Sequence, residues 1–175
     1  MPSKGGVGFF CFYSARVADA LGGAICIQSN PLVMASWSSM IVLRSARVAP
    51  PKDAPAIDHA LYAMRIVESN NNPDAVGDRG KAIGMYQVWR IYWTDAIEYT
   101  PSIGGEYKDC FNPEYAEQIV RSYMRRYCNK RRLGHEPTIR DYCIIHNGGP
   151  NAHKATGQKK KNLDKYWAKC KEVLK

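Results

Sequence analysis

The chain has 175 residues, of which 45% are hydrophobic and 23% are charged, a composition typical of a folded domain rather than a disordered segment. This length suffices for one ordinary domain with a hydrophobic core, and no repeat at a fixed period points to a solenoid or a propeller. The net charge of +9 is unevenly distributed. Residues 121–175 hold 15 Lys or Arg and 4 Asp or Glu, a net charge of +11. Residues 1–120 hold 10 Lys or Arg and 12 Asp or Glu, a net charge of −2. We therefore expect the C-terminal third to meet an acidic partner such as nucleic acid, anionic lipid or bacterial cell wall.

Six cysteines make an even number but include no CxxC pair. Cys143 with His146, and Cys128 with His135, are spaced like fragments of a zinc site. Neither fragment is matched by a second pair at the right spacing, so zinc is disfavoured. We expect disulfide bonds instead if the chain is secreted. Four cysteines fall in the second half of the chain, where three pairings are open: Cys110, Cys128, Cys143 and Cys170.

Residues 1–50 differ in character from the rest of the chain. No residue between Asp19 and Arg44 is charged, but glycine, asparagine and proline interrupt this run, so it does not predict a membrane span. Lys4, the apolar residues 7–13 and the Ala-Asp-Ala triplet at 18–20 are arranged as in a signal peptide. The alternative is a poorly structured N-terminal extension.

The compact domain is expected to occupy residues 53–175. Asp53 followed by Pro55 is typical of a helix start, and apolar residues keep helical spacing as far as Glu68. Three asparagines and a proline then end this helix. The turn sequence at residues 77–80 predicts a small β-hairpin within residues 75–83.

From Met85 to Tyr99 the apolar spacing again predicts a helix, with Trp89 and Trp93 in the core together with Trp167. A helix that starts at residues 112–114 is expected to end at Gly134, and a shorter one to span residues 137–146. The last helix is predicted to begin near residue 162, after a solvated loop at residues 159–161. The predicted fold class is α+β and mostly helical, with one small β-hairpin after the first helix.

Glu68 is the first candidate for chemistry. Its spacing from Leu61 and Met64 places it on the apolar face of the first helix, in the last turn, where unpaired carbonyls form the negative end of the helix dipole. Partial burial and this dipole both disfavour the ionised carboxylate. A carboxyl that keeps its proton near neutral pH is what a general acid requires. The alternative is a carboxyl at a frayed helix end that points to water.

Asp78 supplies the second half of a candidate pair. It lies on the hairpin that must fold back beside the helix end carrying Glu68, and a carboxylate in a polar turn should stay ionised. Two carboxyls in such different environments are the working groups of a glycosidase. Taken alone, Asp78 is better explained as an ordinary turn residue.

Motifs along the chain resemble those of a known superfamily. The stretch from Glu68-Ser69 to Met85-Tyr86-Gln87 resembles the Glu-Ser…Gly…Gly-Leu-Met-Gln core of lysozymes and lytic transglycosylases. Further segments resemble invertebrate-type (destabilase-like) lysozymes, and together the motifs cover residues 65–170 and none of the first fifty. These segments lie at residues 86–95, 123–127, 145–151 and 166–169.

The resemblance implies that Glu68 is the proton donor and that Asp78 is the nucleophile or a charge stabiliser. It implies no metal and no organic cofactor. Invertebrate-type lysozymes are rich in cysteine, whereas this chain has other residues beside the glutamate and before the Gly-x-Tyr-Gln turn, so its fold must depend more on the apolar core. The substrate contacts that the resemblance implies are Tyr86, Gln87, Tyr92, His146, Asn147 and Gly148.

On this basis the sequence predicts a secreted lysozyme that hydrolyses the β-1,4 bond between N-acetylmuramic acid and N-acetylglucosamine in peptidoglycan. The basic C-terminal third would help to capture an anionic wall, and salt would weaken that help. Two alternatives stay open. A lytic transglycosylase needs only Glu68 and leaves 1,6-anhydro products, and a catalytically silent basic protein would bind the wall by charge. No motif supports nucleic-acid binding.

Overall fold

The computed structural model describes residues 48–175, so the predictions of a leader or an extension lie almost entirely outside the described residues. The first helix, α1, spans Ala56–Ser69. It ends where Asn70 adopts a left-handed conformation, with φ 53°, and donates its N–H to the carbonyl of Ile66. Its start differs from the prediction, because Pro55 itself occupies the N-cap position without a side-chain cap and Asp53 does not cap the helix.

Three two-residue strands follow α1 and form an antiparallel sheet in the order β1-β2-β3. Strands β1 (Val76–Gly77) and β2 (Ala82–Ile83) enclose a 3-10 turn at Asp78–Gly80, so the predicted hairpin is confirmed. Strand β3 (Val88–Trp89) pairs with β2 and was not predicted.

The helix predicted over residues 85–99 is wrong in its first turn, because α2 spans only Arg90–Tyr99. The preceding segment turns at Gly84 and Gln87, whose φ values are 73° and 48°, and this brings β3 to the sheet. A Cβ atom on Gly84 would clash with the carbonyl oxygen of Cys110. That close contact joins segments far apart in sequence, and helical spacing within one segment does not reveal it.

The remaining helices follow the predictions except at their ends, and the helix predicted over residues 137–146 spans Ile139–Gly148. Asn112 caps the third helix with its side-chain oxygen as expected, but this helix ends before Cys128 and a short separate helix follows, which Gly134 terminates. The last helix begins earlier than predicted, so that Lys159–Lys161 are helical rather than part of a loop. The bounds are α3 Pro113–Tyr127, α4 Lys130–Leu133, α5 Ile139–Gly148 and α6 Gly157–Val173.

One hydrophobic core joins these elements, with α1 packed on α5 and α6 and α2 packed on α3. The mostly helical α+β class is therefore confirmed. Trp93 and Trp167 pack against the core as predicted, but Trp89 is 44% exposed, so its assignment to the core is wrong. No helix within residues 48–175 is long and apolar enough to cross a membrane. The largest fully buried side chains include Met64, Tyr86, Ile119, Met124 and Ile145.

The four cysteines within the described residues are buried free thiols rather than disulfides. Burial raises the pKa of Cys110 and Cys128 to about 12, so both remain protonated and unreactive at neutral pH. Cys143 on α5 and Cys170 on α6 interact, and this interaction raises the pKa of Cys143 and lowers that of Cys170. In this part of the chain the apolar core, and not the expected disulfides, holds the helices together.

The contact between Gly84 and the carbonyl of Cys110 predicts a large effect of Gly84→Ala. The new methyl group would combine a left-handed backbone with a steric clash, and we expect a loss of about 3 kcal/mol in the free energy of unfolding. Gly80→Ala is the matched control, because Gly80 also has a positive φ but has open space around it, and it should lose only about 1 kcal/mol. Urea unfolding measures both. Equal losses would contradict the argument.

Candidate active site

A cleft of about 630 Å³ contains both predicted carboxyls. The end of α1, the turn after β1 and the β3–α2 segment line one part of this cleft. A side chain of α3, and the end of α5 with the loop that follows it, line the rest. Tyr86 is the one predicted site residue that does not line it. The predicted residues that the structure brings together here are Glu68, Asp78, Gln87, Tyr92, His146, Asn147 and Gly148.

Glu68 lies in the last turn of α1 with its side chain 19% exposed. Its Oε1 accepts a hydrogen bond of 2.7 Å from the hydroxyl of Tyr166 on α6. The next residue, Ser69, places its hydroxyl 2.9 Å from the carbonyl oxygen of Met85, which fixes the end of α1 beside the turn that leads into β3. Within residues 48–175 no hydrogen bond engages Oε2, so this oxygen is available to a ligand in the cleft.

Tyr166 is a site residue that is not among the contacts predicted from the sequence. Burial, followed by the charge of Glu68, raises the pKa of Tyr166 well above its ordinary value, so the phenol stays a proton donor. The signal available in the sequence was its place in the Tyr-Trp motif at residues 166–169, on the inward face of the last helix. That motif pointed to the family but not to the partner of the hydroxyl.

His146 connects the general-acid candidate to the rest of the cleft. Its Nε2 lies 3.1 Å from the backbone oxygen of Tyr86, an atom that can only accept, so Nε2 carries the proton. Nδ1 then accepts from the hydroxyl of Tyr92 at 3.2 Å. Burial lowers the pKa of His146, which favours this neutral form. Nε2 of His146 lies 3.7 Å from Oε1 of Glu68, so a neutral imidazole ring lies beside the carboxyl.

Asp78 is the first residue of the 3-10 turn after β1 and is exposed. It and Arg79 both adopt the left-handed conformation, with φ 46° and 57°, a region that aspartate tolerates better than most residues. Among the described residues the Asp78 carboxylate makes no hydrogen bond or ion pair. It therefore reaches the cleft as a solvated, unpaired carboxylate, in contrast to Glu68.

Two of the predicted substrate contacts have other partners. Tyr86 is fully buried, and its hydroxyl lies 3.5 Å from Oε2 of Glu117 on α3, so its side chain does not reach the cleft. The amide nitrogen of Gln87 donates to the carbonyls of Ala75 and Gly84 at 3.3 and 2.9 Å. Gln87 therefore braces the turn before β3 and also lines the cleft, whereas Tyr86 contacts α3. Asn147 lies exposed on the wall formed by the end of α5.

The cleft is acidic, although the chain as a whole is basic. Glu68, Asp78 and Asp95 line it, and its lining residues in the described part of the chain include no Lys or Arg. Arg126 neutralises Asp95 from behind, with 3.6 Å between the charged groups and a hydrogen bond of 2.6 Å to the backbone oxygen of Asp95. No three His, Cys, Asp or Glu side chains among residues 48–175 are grouped as metal ligands.

The family model described as Destabilase matches residues 58–173. The chain belongs to the destabilase family. This membership confirms the resemblance to invertebrate-type lysozymes that the motifs indicated. The chain is also similar to Lysozyme 1 of Crassostrea virginica, with 34% identity over 85 residues. That alignment covers 48% of this chain and 40% of the oyster protein.

Two solved structures share the fold of this destabilase. The crystal structure of Tapes japonica lysozyme aligns with a TM-score of 0.54 and 24% identity, over 69% of this chain and 94% of that chain. A chain in the crystal structure of Aeromonas hydrophila PliI in complex with Meretrix lusoria lysozyme aligns with a TM-score of 0.54 and 23% identity. This alignment covers 69% of the present chain and 93% of that chain. At this level of identity the structures establish the lysozyme-like fold.

The depressed pKa of His146 predicts a specific dependence of stability on pH. The unfolded chain binds a proton at this residue near pH 6.5, whereas the folded chain resists it, so the free energy of unfolding should fall as pH decreases from 7 to 5. His146→Gln removes this titration and should flatten the slope by up to about 1.4 kcal/mol per pH unit. Chemical denaturation at several pH values measures the slope.

His59→Gln is the matched control, because His59 lies on α1 and does not line the cleft. It should keep the slope of the unmodified protein. The interpretation fails if the two glutamine variants respond to pH alike.

Proposed function

We propose that this destabilase is a lysozyme, which hydrolyses the β-1,4 bond between N-acetylmuramic acid and N-acetylglucosamine in bacterial peptidoglycan. The observation that carries the proposal is the contrast between two carboxyls in one cleft: Glu68, mostly buried and held by Tyr166, and Asp78, exposed and unpaired among the described residues. Family membership supports the same activity. Since peptidoglycan lies outside the cell that would attack it, we also propose that the protein is secreted.

Glu68 acts as the general acid. Because Oε1 accepts the hydrogen bond from Tyr166, the transferable proton sits on Oε2, which the protein leaves free toward the cleft. Transfer of this proton to the glycosidic oxygen leaves a carboxylate, and the Tyr166 hydroxyl stabilises that new charge. The carboxylate then accepts a proton from the water that completes hydrolysis.

Asp78 acts on the sugar that develops positive charge as the bond breaks. An ionised carboxylate stabilises the oxocarbenium-like transition state or attacks it to form a covalent intermediate. Its position on a turn, and not in the core, keeps it solvated until the substrate arrives. Tyr92, Asn147 and Gly148 line the remainder of the cleft, where they hold the sugar in place.

The first test compares clearing of a peptidoglycan suspension by the unmodified protein, Glu68→Gln and Asp78→Asn. Loss of the general acid should lower the rate by about 1000-fold, and loss of the second carboxylate by about 100-fold or more. Asp74→Asn is the matched control, because Asp74 is an exposed carboxylate near Asp78 that does not line the cleft. It should clear at the unmodified rate.

Mass spectrometry of the soluble fragments identifies the reaction. Hydrated reducing ends support the lysozyme, whereas 1,6-anhydro ends with an active Asp78→Asn variant would identify a lytic transglycosylase instead. Equal clearing by the unmodified protein and Glu68→Gln, abolished by added salt, would show that the protein acts by its basic charge without catalysis.

The hydrogen bond from Tyr166 predicts a separate effect on turnover. Tyr166→Phe keeps the aromatic ring in the core but removes the donor to Oε1, so we expect kcat to fall by about 10-fold while KM changes little. Tyr99→Phe, on the exposed side of α2, should leave both constants unchanged. A higher KM with an unchanged kcat would contradict a role for Tyr166 in the transition state.

A further inference from the structure

One edge of the cleft is unexpectedly apolar. Trp89, the last residue of β3, is 44% exposed, and Ile91, in the first turn of α2, is 72% exposed. Both line the same cleft as Glu68 and Asp78. We refer to Trp89 and Ile91 as the apolar rim. Large apolar side chains that stay exposed beside a polar site are typical of a ligand-binding surface.

The sheet places the apolar rim next to the turn that carries Asp78. Gly77, Ala82 and Trp89 pair in one row across the three strands, so they share one face of the sheet. Gly77 and Ala82 contribute almost no side chain to this face, and the indole of Trp89 is the large group in the row. Ala82 in the middle of the row is buried, so with strands about 4.8 Å apart Trp89 lies roughly 10 Å from Gly77, and both of these residues line the cleft.

The backbone beneath Trp89 is held firmly. The hydroxyl of Tyr107 lies 2.8 Å from the carbonyl oxygen of Val88 and 2.9 Å from that of Lys81, so it bridges β3 to the residue before β2. The guanidinium of Arg90 stacks on the ring of Tyr107 at 4.7 Å. A binding side chain on a rigid frame loses less entropy when its ligand arrives.

The charge of the cleft selects the kind of ligand that this surface takes. Among the described residues no Lys or Arg lines the cleft, so an anionic group would find no cationic partner there. A neutral pyranose ring presents C–H groups on one face, which stack on an indole, and hydroxyl and amide groups at its edges, which suit carboxylates and amides.

We propose that the apolar rim is the platform on which a neutral N-acetylglucosamine ring of the substrate stacks, in the part of the cleft beside Asp78. This inference rests on the proposed lysozyme activity and names which sugar the sheet side of the cleft recognises. Trp89 is a specificity-determining residue for that sugar. Its indole contacts the ring directly, while Ile91 contacts the edge that extends toward α2.

The test measures binding of N-acetylchitotetraose, a neutral tetramer of N-acetylglucosamine, to the Glu68→Gln variant, which prevents turnover. Trp89→Ala in this background should weaken the Kd by about 10-fold, and Trp89→Phe should weaken it less because a smaller ring still stacks. The change in tryptophan fluorescence on binding should disappear in Trp89→Phe, although the other three tryptophans of the chain remain. With Glu68 intact, Trp89→Ala should raise KM for peptidoglycan more than it lowers kcat.

Val76→Ala is the matched control, because Val76 is 60% exposed on the same sheet but does not line the cleft. It should leave the Kd unchanged. The proposal is overturned if the tetramer does not bind, if Trp89→Ala and Val76→Ala bind it equally, or if Trp89→Ala only converts a dimer to a monomer in sedimentation. Each of these outcomes is distinct from failure of the lysozyme proposal, which would appear as full activity of Glu68→Gln.

Discussion

The hydrogen bond from Tyr166 to Glu68 joins α6 to α1, although the two residues are 98 positions apart in sequence. It holds the carboxyl of Glu68 in its place in the cleft. A mostly buried carboxyl has lost much of its hydration, and a single strong donor stabilises its charged form when the proton leaves. Because the donor comes from α6, the last helix must dock on α1 before the carboxyl is held in place. The packing of α1 against α5 and α6 is therefore a condition for the proposed chemistry as well as for the fold.

The polar groups of the cleft divide into two sets. His146, Tyr92 and the backbone oxygen of Tyr86 satisfy one another, and this buried network fixes the position of the ring beside Glu68. Other groups make no such contacts among the described residues and face the cleft: Oε2 of Glu68, the carboxylate of Asp78 and the side chain of Asn147. This network supplies rigidity at low cost, since both ring nitrogens of His146 have a partner within it.

Long-range attraction and short-range recognition are separated on this molecule. The basic excess of the C-terminal third lies on exposed lysines and arginines, including Lys159–Lys161 on α6, and outside the acidic cleft. Such charges attract an anionic surface over about 10 Å at moderate salt, whereas no Lys or Arg among the described residues lines the cleft. The two surfaces can thus respond differently to ionic strength.

Local signals determined much of this protein. Proline, asparagine and glycine mark most helix ends, the turn at residues 77–80 predicts the hairpin, and the motifs identify Glu68, Asp78 and most of the cleft wall. The tertiary structure alone decided β3, the exposure of Trp89, the burial of Tyr86 and the role of Tyr166. Each of these depends on segments that are distant in sequence, such as the carbonyl of Cys110 against Gly84 or α6 against α1, and spacing within one segment carries no information about such contacts.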